Sequence, residues 1–117
     1  MRNFTPDEHT CKCGCGQNFM HPKHMEMLDD ARDMAGIPFK ITSGCRCKAH
    51  NKAEGGSPTS SHPKGFASDI EAITDEQRYK IVRSLLIAGF RRIGIKKTFI
   101  HVDNDPDKNE RRLWQWL

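Results

Sequence analysis

His62, Asp69 and His101 are the side chains that, by type and spacing, could do chemistry together in this chain. The stretch Ser60-Ser61-His62-Pro63-Lys64-Gly65-Phe66-Ala67-Ser68-Asp69-Ile70 joins an imidazole to a carboxylate downstream, and a second imidazole follows in Phe99-Ile100-His101-Val102-Asp103. Two neutral imidazoles and a carboxylate suit zinc, and three protein ligands leave the fourth tetrahedral position for water. An open position of that kind implies catalysis. Spacing alone leaves a second reading, a core imidazole beside a surface ion pair.

The surrounding residues carry a family resemblance. Ile41-Thr42-Ser43-Gly44-Cys45-Arg46, then His50-Asn51, Gly55-Gly56, Ser60, His62, Gly65, Ala67 and Asp69, followed by Gly89-Phe90 and His101-Val102-Asp103, resemble the M15 metallopeptidases. These are zinc D-Ala-D-Ala carboxypeptidases and L-alanyl-D-glutamate endopeptidases of bacteria and their phages. The resemblance runs from about Phe4 to the C-terminus, and its ordered spacing is more specific than any one His. It implies a zinc D,D-peptidase (hedgehog/DD-peptidase-like) fold and one catalytic zinc on His62, Asp69 and His101. The implied reaction is hydrolysis of peptide bonds in peptidoglycan, as a D,D-carboxypeptidase or an endopeptidase.

The same resemblance gives Arg46 a substrate carboxylate or a carbonyl oxygen to hold near the metal, and a guanidinium can grip a carboxylate through two parallel hydrogen bonds. Ser60 would hydrogen-bond substrate or order the loop, and His50 with Asn51 would pin that loop. Many relatives keep a Glu or Asp three residues before the last His, or a His two before it. Here those positions are Thr98 and Phe99, which take no proton. Asp103 is then the nearest candidate base, with Glu71 next because it shares the strand face of Asp69. The competing role for Asp103 is an acceptor that fixes the ring of a ligand His. The missing base also leaves open a catalytically silent relative that keeps zinc and binds cell-wall peptide or a protein partner.

The elements that must position these residues read as α+β, a small antiparallel sheet with packed helices. Pro22 to Ala35 reads as a helix, with Pro near its start, apolar residues three or four apart, and Gly36 at its end. His21 and His24 flank its start and are expected at the surface. Phe39 to Thr42 alternates as a half-buried strand, and Lys48 to Lys64, with its Gly, Ser and Pro, reads as a long functional loop. Phe66 to Ile73 is a strand with Ala67, Asp69 and Glu71 on one face. Thr74 and Gln77 form a capping box opening a helix whose core stripe is Ile81, Val82, Leu85 and Leu86. Arg92 to Ile95 and Thr98 to Asp103 read as strands, the second turning Ile100 and Val102 to the core and His101 and Asp103 to the other face. Arg112 to Trp116 reads as a closing strand.

With 117 residues, one domain spanning 1–117 is expected, large enough for a single core. The net charge of +4 favours anionic partners such as the cell wall, or else is a mildly basic surface. A small zinc-dependent nucleic-acid binder is weighed against this, but no helix is dense in Arg and Lys and aromatic interleaving is sparse, so no nucleic-acid partner is expected. Met1 to Asp7 holds no apolar run, and no stretch is long enough for a membrane span. The expectation is a monomer made in the cytoplasm, without a membrane partner, that meets the wall once released, for example as a phage lysin. Cys11, Cys13 and Cys15 lie too close to bridge neatly among themselves, whereas two of them could join Cys45 and Cys47 in disulfides or around a second, structural zinc. Reduced, partly buried thiols are the alternative.

Overall fold

The computed structural model describes residues 3–57 and 59–115. Five strands form one sheet: β1 (Ile41–Ser43), β2 (Ala67–Glu71), β3 (Arg92–Ile95), β4 (Phe99–Asp103) and β5 (Arg112–Gln115), in the spatial order β1-β2-β4-β3-β5. Three α-helices accompany them: α1 (Pro22–Ala35), α2 (Lys48–Ala53) and α3 (Asp75–Ile87). The sheet is mixed rather than antiparallel throughout, because β5 runs parallel to β3. Alternation can mark Arg112–Gln115 as a strand but not name its partner or direction. Trp116, expected to finish that strand, and Pro58, expected in the long loop, lie outside the described residues.

Register divides the sheet into two faces. Asp69 lies opposite His101, His101 opposite Gly94, and Gly94 opposite Trp114, so one row crosses four strands on a single face. The next row on that face runs Ala67, Asp103, Arg92, Arg112. The other face carries Ile70, Ile100, Val102 and Ile93, all buried. Against it pack Leu28 of α1 and Ile81 and Leu85 of α3. Each such side chain contributes about 1.5–3 kcal/mol by leaving water, so the apolar face sets the register and the register delivers the polar row.

Local signals account for the helices. His21 caps α1, its Nδ1 accepting from Lys23 N at 3.1 Å, and Gly36 ends the helix in a left-handed conformation. Thr74 Oγ1 accepts from Gln77 N at 3.1 Å, while Gln77 Oε1 accepts from Thr74 N at 3.1 Å. The core stripe of α3 is narrower than its sequence suggests, because Leu86 is exposed beside Ile87. The segment expected to be loop from Lys48 begins instead with α2, a short polar helix with no apolar period to announce it. Cys47 caps α2, its sulfur accepting from His50 N at 3.4 Å.

His24 lies in the interior rather than at the surface. Expected at the surface, it is fully buried, with Nδ1 2.7 Å from Asn104 Oδ1 and Nε2 2.7 Å from Ser68 Oγ. Ser68 is the polar residue of β2 on the core face, and His9 approaches the same hydroxyl at 2.9 Å. Nδ1–H of His24 donates to Asn104, Ser68 donates to His24 Nε2, and His9 Nε2–H donates to Ser68. That assignment leaves His9 Nδ1 as a lone pair without a partner, which costs less than a stranded N–H.

Burial holds both rings neutral, lowering the pKa of His9 to about 4 and that of His24 to about 3. Such groups stabilise the fold above their unfolded pKa near 6.5, and this stability drains as pH falls toward the folded values, at about 1.4 kcal/mol per pH unit for each ring. Urea midpoints should therefore fall steadily from pH 7 to pH 5 while NMR shows both rings still neutral in the folded protein. Charged rings in folded protein at pH 5 would contradict this.

Candidate metal centre and its cleft

Asp69 is the middle of the site. Its carboxylate is buried, with Oδ1 2.9 Å from His101 Nδ1 and 3.3 Å from His62 Nε2, and Oδ2 3.4 Å from an Arg46 guanidinium nitrogen. Cross-strand pairing supplies the first contact, since directly opposed residues in an antiparallel pair share a face. His62 arrives from a separate 3-10 turn, His62–Lys64, which Ser61 ties to the end of β4 by donating to Asp105 Oδ2 at 2.9 Å.

Each imidazole is oriented through its other nitrogen. His62 Nδ1 lies 2.7 Å from Gly44 O, which only accepts, so Nδ1 carries the proton and Nε2 faces Asp69. His101 Nε2 lies 2.8 Å from Asp103 Oδ2, and Asp103 Oδ1 accepts from Arg92 Nε at 2.8 Å and from Asp105 N at 3.3 Å. Gly44 has a steric reason to be glycine: a Cβ there would overlap the ring of His9. The peptide that orients His62 is thus packed directly against a buried residue of the N-terminal segment.

Three ligand atoms, His62 Nε2, Asp69 Oδ1 and His101 Nδ1, lie within 4.8 Å of one another. Tetrahedral zinc with bonds of about 2.0–2.1 Å separates its ligand atoms by about 3.3–3.4 Å, and the observed 2.9 and 3.3 Å bracket that edge from below. The residues therefore fit zinc with small outward adjustments. Burial alone would raise the Asp69 pKa, but hydrogen bonds from His101 and His62 outweigh it and hold the carboxyl far below the usual range. For His101, burial pulls the pKa down and the bonds to Asp103 and Asp69 reverse it, a net rise. The proton shared between ring and carboxylate stands where a cation would replace it.

The open side of the triad faces a cleft of about 640 Å³. Arg46 and Ser60 line it with the triad, as do Arg92, Lys96 and Lys108. Arg46 is held by Ser43 Oγ at 3.0 Å and Asn51 Oδ1 at 3.4 Å as well as by Asp69. Ser60 Oγ accepts from His62 N at 3.2 Å. Glu71 is not part of the lining; it lies 3.9 Å from Lys40 at the far end of β2. Five lining residues have no motif in the sequence to mark them: Glu54 at the end of α2, Arg92, Lys96, Lys108 and Trp114. Trp114 reaches across Gly94, which has no side chain, to within 5.8 Å of the His101 ring.

A family model described as Peptidase M15 matches residues 2–103. The match includes the triad and Arg46 but stops before Lys108 and Trp114. No curated protein matches the chain.

His62→Ala and His101→Ala should each lower zinc content by about one per chain while far-ultraviolet circular dichroism stays that of the parent. Elemental analysis checks this, and unchanged zinc in both variants would remove the triad as a metal site.

Proposed function

Because the chain belongs to the M15 peptidases, we propose that it is a zinc-dependent peptidase acting on peptidoglycan peptides, with His62, Asp69 and His101 as metal ligands. The observation that carries this reading is the triad itself: three candidate ligand atoms within 4.8 Å of one another, buried on the protein side and open to a cleft on the other. Zinc in that triad would polarise a scissile carbonyl and lower the pKa of a water molecule toward neutrality.

The chain's own residues do the remaining work. Gly44 O and Asp103 keep the outward nitrogens of His62 and His101 protonated, so the inward ones keep lone pairs for the metal. Arg46 balances the second oxygen of Asp69 and borders the cleft, where it can grip a substrate carboxylate or carbonyl oxygen. Lys96 and Lys108 add positive charge to the lining. A cationic cleft suits stem peptides, which are rich in free carboxylates, better than neutral peptides.

Asp103 has both oxygens engaged, with His101, Arg92 and the Asp105 amide, and is buried. We assign it the orientation of His101 rather than the role of base expected from the sequence, because taking a proton from water would require it to leave these partners. Glu54 is the cleft carboxylate whose side chain is exposed, and it takes the place of Glu71 as a candidate proton acceptor.

Digestion of purified peptidoglycan, with new termini identified by mass spectrometry, tests the reading. Released D-alanine marks a carboxypeptidase and new internal amino termini mark an endopeptidase. Zinc-loaded protein that turns over neither substrate would support the silent relative, for which Thr98 in place of a carboxylate is the motivating feature.

Two variants separate the roles. Arg46→Lys should leave zinc content intact and cut turnover roughly a hundredfold, as mispositioning of substrate does. Asp103→Asn should weaken zinc binding about 10–100-fold, the cost of losing an orienting partner. If Asp103→Asn keeps parental zinc affinity and loses only rate, Asp103 is the base after all.

A further inference from the structure

Apart from the triad, four thiols converge in a second cluster. Cys11, Cys13 and Cys15 come from a loop closed by Cys11 N donating to Gln17 O at 2.8 Å, and Cys47 comes from the start of α2. The four sulfur atoms lie within 4.8 Å of one another. Cys11 Sγ is 3.4 Å from Cys13 Sγ, and Cys13 Sγ is 3.6 Å from Cys47 Sγ. Cys45, which its place in the sequence pairs with Cys47, is not part of this cluster: it is buried, and its sulfur accepts from Phe19 N at 3.0 Å.

We propose that Cys11, Cys13, Cys15 and Cys47 hold a second zinc ion in a closed, structural site that clasps the N-terminal loop to the loop carrying Arg46. Zinc bonded to four sulfurs at about 2.3 Å spaces them about 3.8 Å apart, close to the separations of 3.4 and 3.6 Å. Cys13 is near two other thiols at once, a geometry that serves a common central partner; a disulfide would satisfy one neighbour and leave the other. All four thiols are free. A set of four soft sulfur ligands selects zinc over the hard cations calcium and magnesium.

Hydrogen-bond donors already point at the sulfurs. Cys47 N donates to Cys11 Sγ at 3.4 Å and His50 N to Cys47 Sγ at 3.4 Å. His50 Nδ1 lies 3.2 Å from Cys11 Sγ, and its Nε2 is 3.2 Å from Glu54. The two backbone donors are the pattern of outer partners stabilising thiolate charge.

The clasp has a mechanical consequence. Cys45 N donates to His9 O at 2.9 Å, Cys47 would be bound to zinc, and Asn51 of α2 accepts from Arg46. Arg46 is therefore tethered on both flanks to parts that the second zinc would lock together. The consequence for substrate rests on the proposed role of Arg46; the metal site does not.

The test uses the full chain purified with zinc under reducing conditions. Cys13 and Cys15 are exposed, so Cys13→Ser with Cys15→Ser spares the core. In a His62→Ala background the parent cluster should retain about one zinc per chain, and the double serine change should remove it. Cobalt(II) substituted into the same background should show sulfur-to-metal charge-transfer absorption that the serine variant lacks. Should the serine variant fail to fold, a mercurial added to the His62→Ala protein should release that zinc to a chromogenic indicator and speed hydrogen exchange of the Cys45 amide. Absence of thiolate–cobalt absorption together with no zinc released by the mercurial would overturn the proposal. So would disulfides among these four cysteines in protein prepared anaerobically with zinc.

Discussion

Everything on the polar face of the sheet depends on burying the Asp69 carboxylate. An ionised carboxylate removed from water without partners costs several kcal/mol, so the surrounding elements must deliver compensating groups to one point. The β2–β4 register brings His101, the 3-10 turn after the loop brings His62, and the β1–α2 connection brings Arg46. Three stretches far apart in sequence meet at one oxygen pair. A slip of one residue between β2 and β4 would send Asp69 toward Leu28 and Leu85 and the apolar Ile70 toward the cleft. The apolar core therefore protects the site by fixing register, without touching it.

Support also comes from behind. His9 packs against Gly44, whose carbonyl orients His62, and reaches Ser68, the neighbour of Asp69 in β2. His24 of α1 meets the same hydroxyl from the other side. These two neutral imidazoles are structural, whereas His62 and His101 face an acceptor on one side and a carboxylate on the other. The difference lies in surroundings rather than residue type, and a carboxylate next to the ring is what distinguishes a candidate ligand from a buried spacer.

The sequence exposes the parts of this arrangement that follow from local rules. Strand alternation placed His101 and Asp103 on one face and Ile100 and Val102 on the other, and the Thr74 capping box marks the start of α3 within a residue. The meeting of His62, Asp69 and His101 is legible because two of the three sit on regular strands. What escapes is decided at long range. The burial of His24 depends on Ser68 and Asn104, each more than forty residues away. The parallel pairing of β5 that brings Trp114 to the cleft has no local signature, and neither does α2, whose Lys-Ala-His-Asn-Lys-Ala lacks an apolar period. Cys45 and Cys47 look equivalent in the sequence, yet one is buried under the Phe19 amide and the other caps a helix.

The chain brings together two sets of potential ligands, nitrogen and oxygen atoms at the mouth of a cleft and four sulfurs from the N-terminal loop and the start of α2. On the function proposed above, the first set binds zinc. Anomalous scattering recorded on either side of the zinc absorption edge, from crystals grown with zinc, tests it most directly. A difference peak within about 2.0–2.2 Å of His62 Nε2, Asp69 Oδ1 and His101 Nδ1 is the predicted result. Fully loaded crystals with no peak between those three atoms would contradict it.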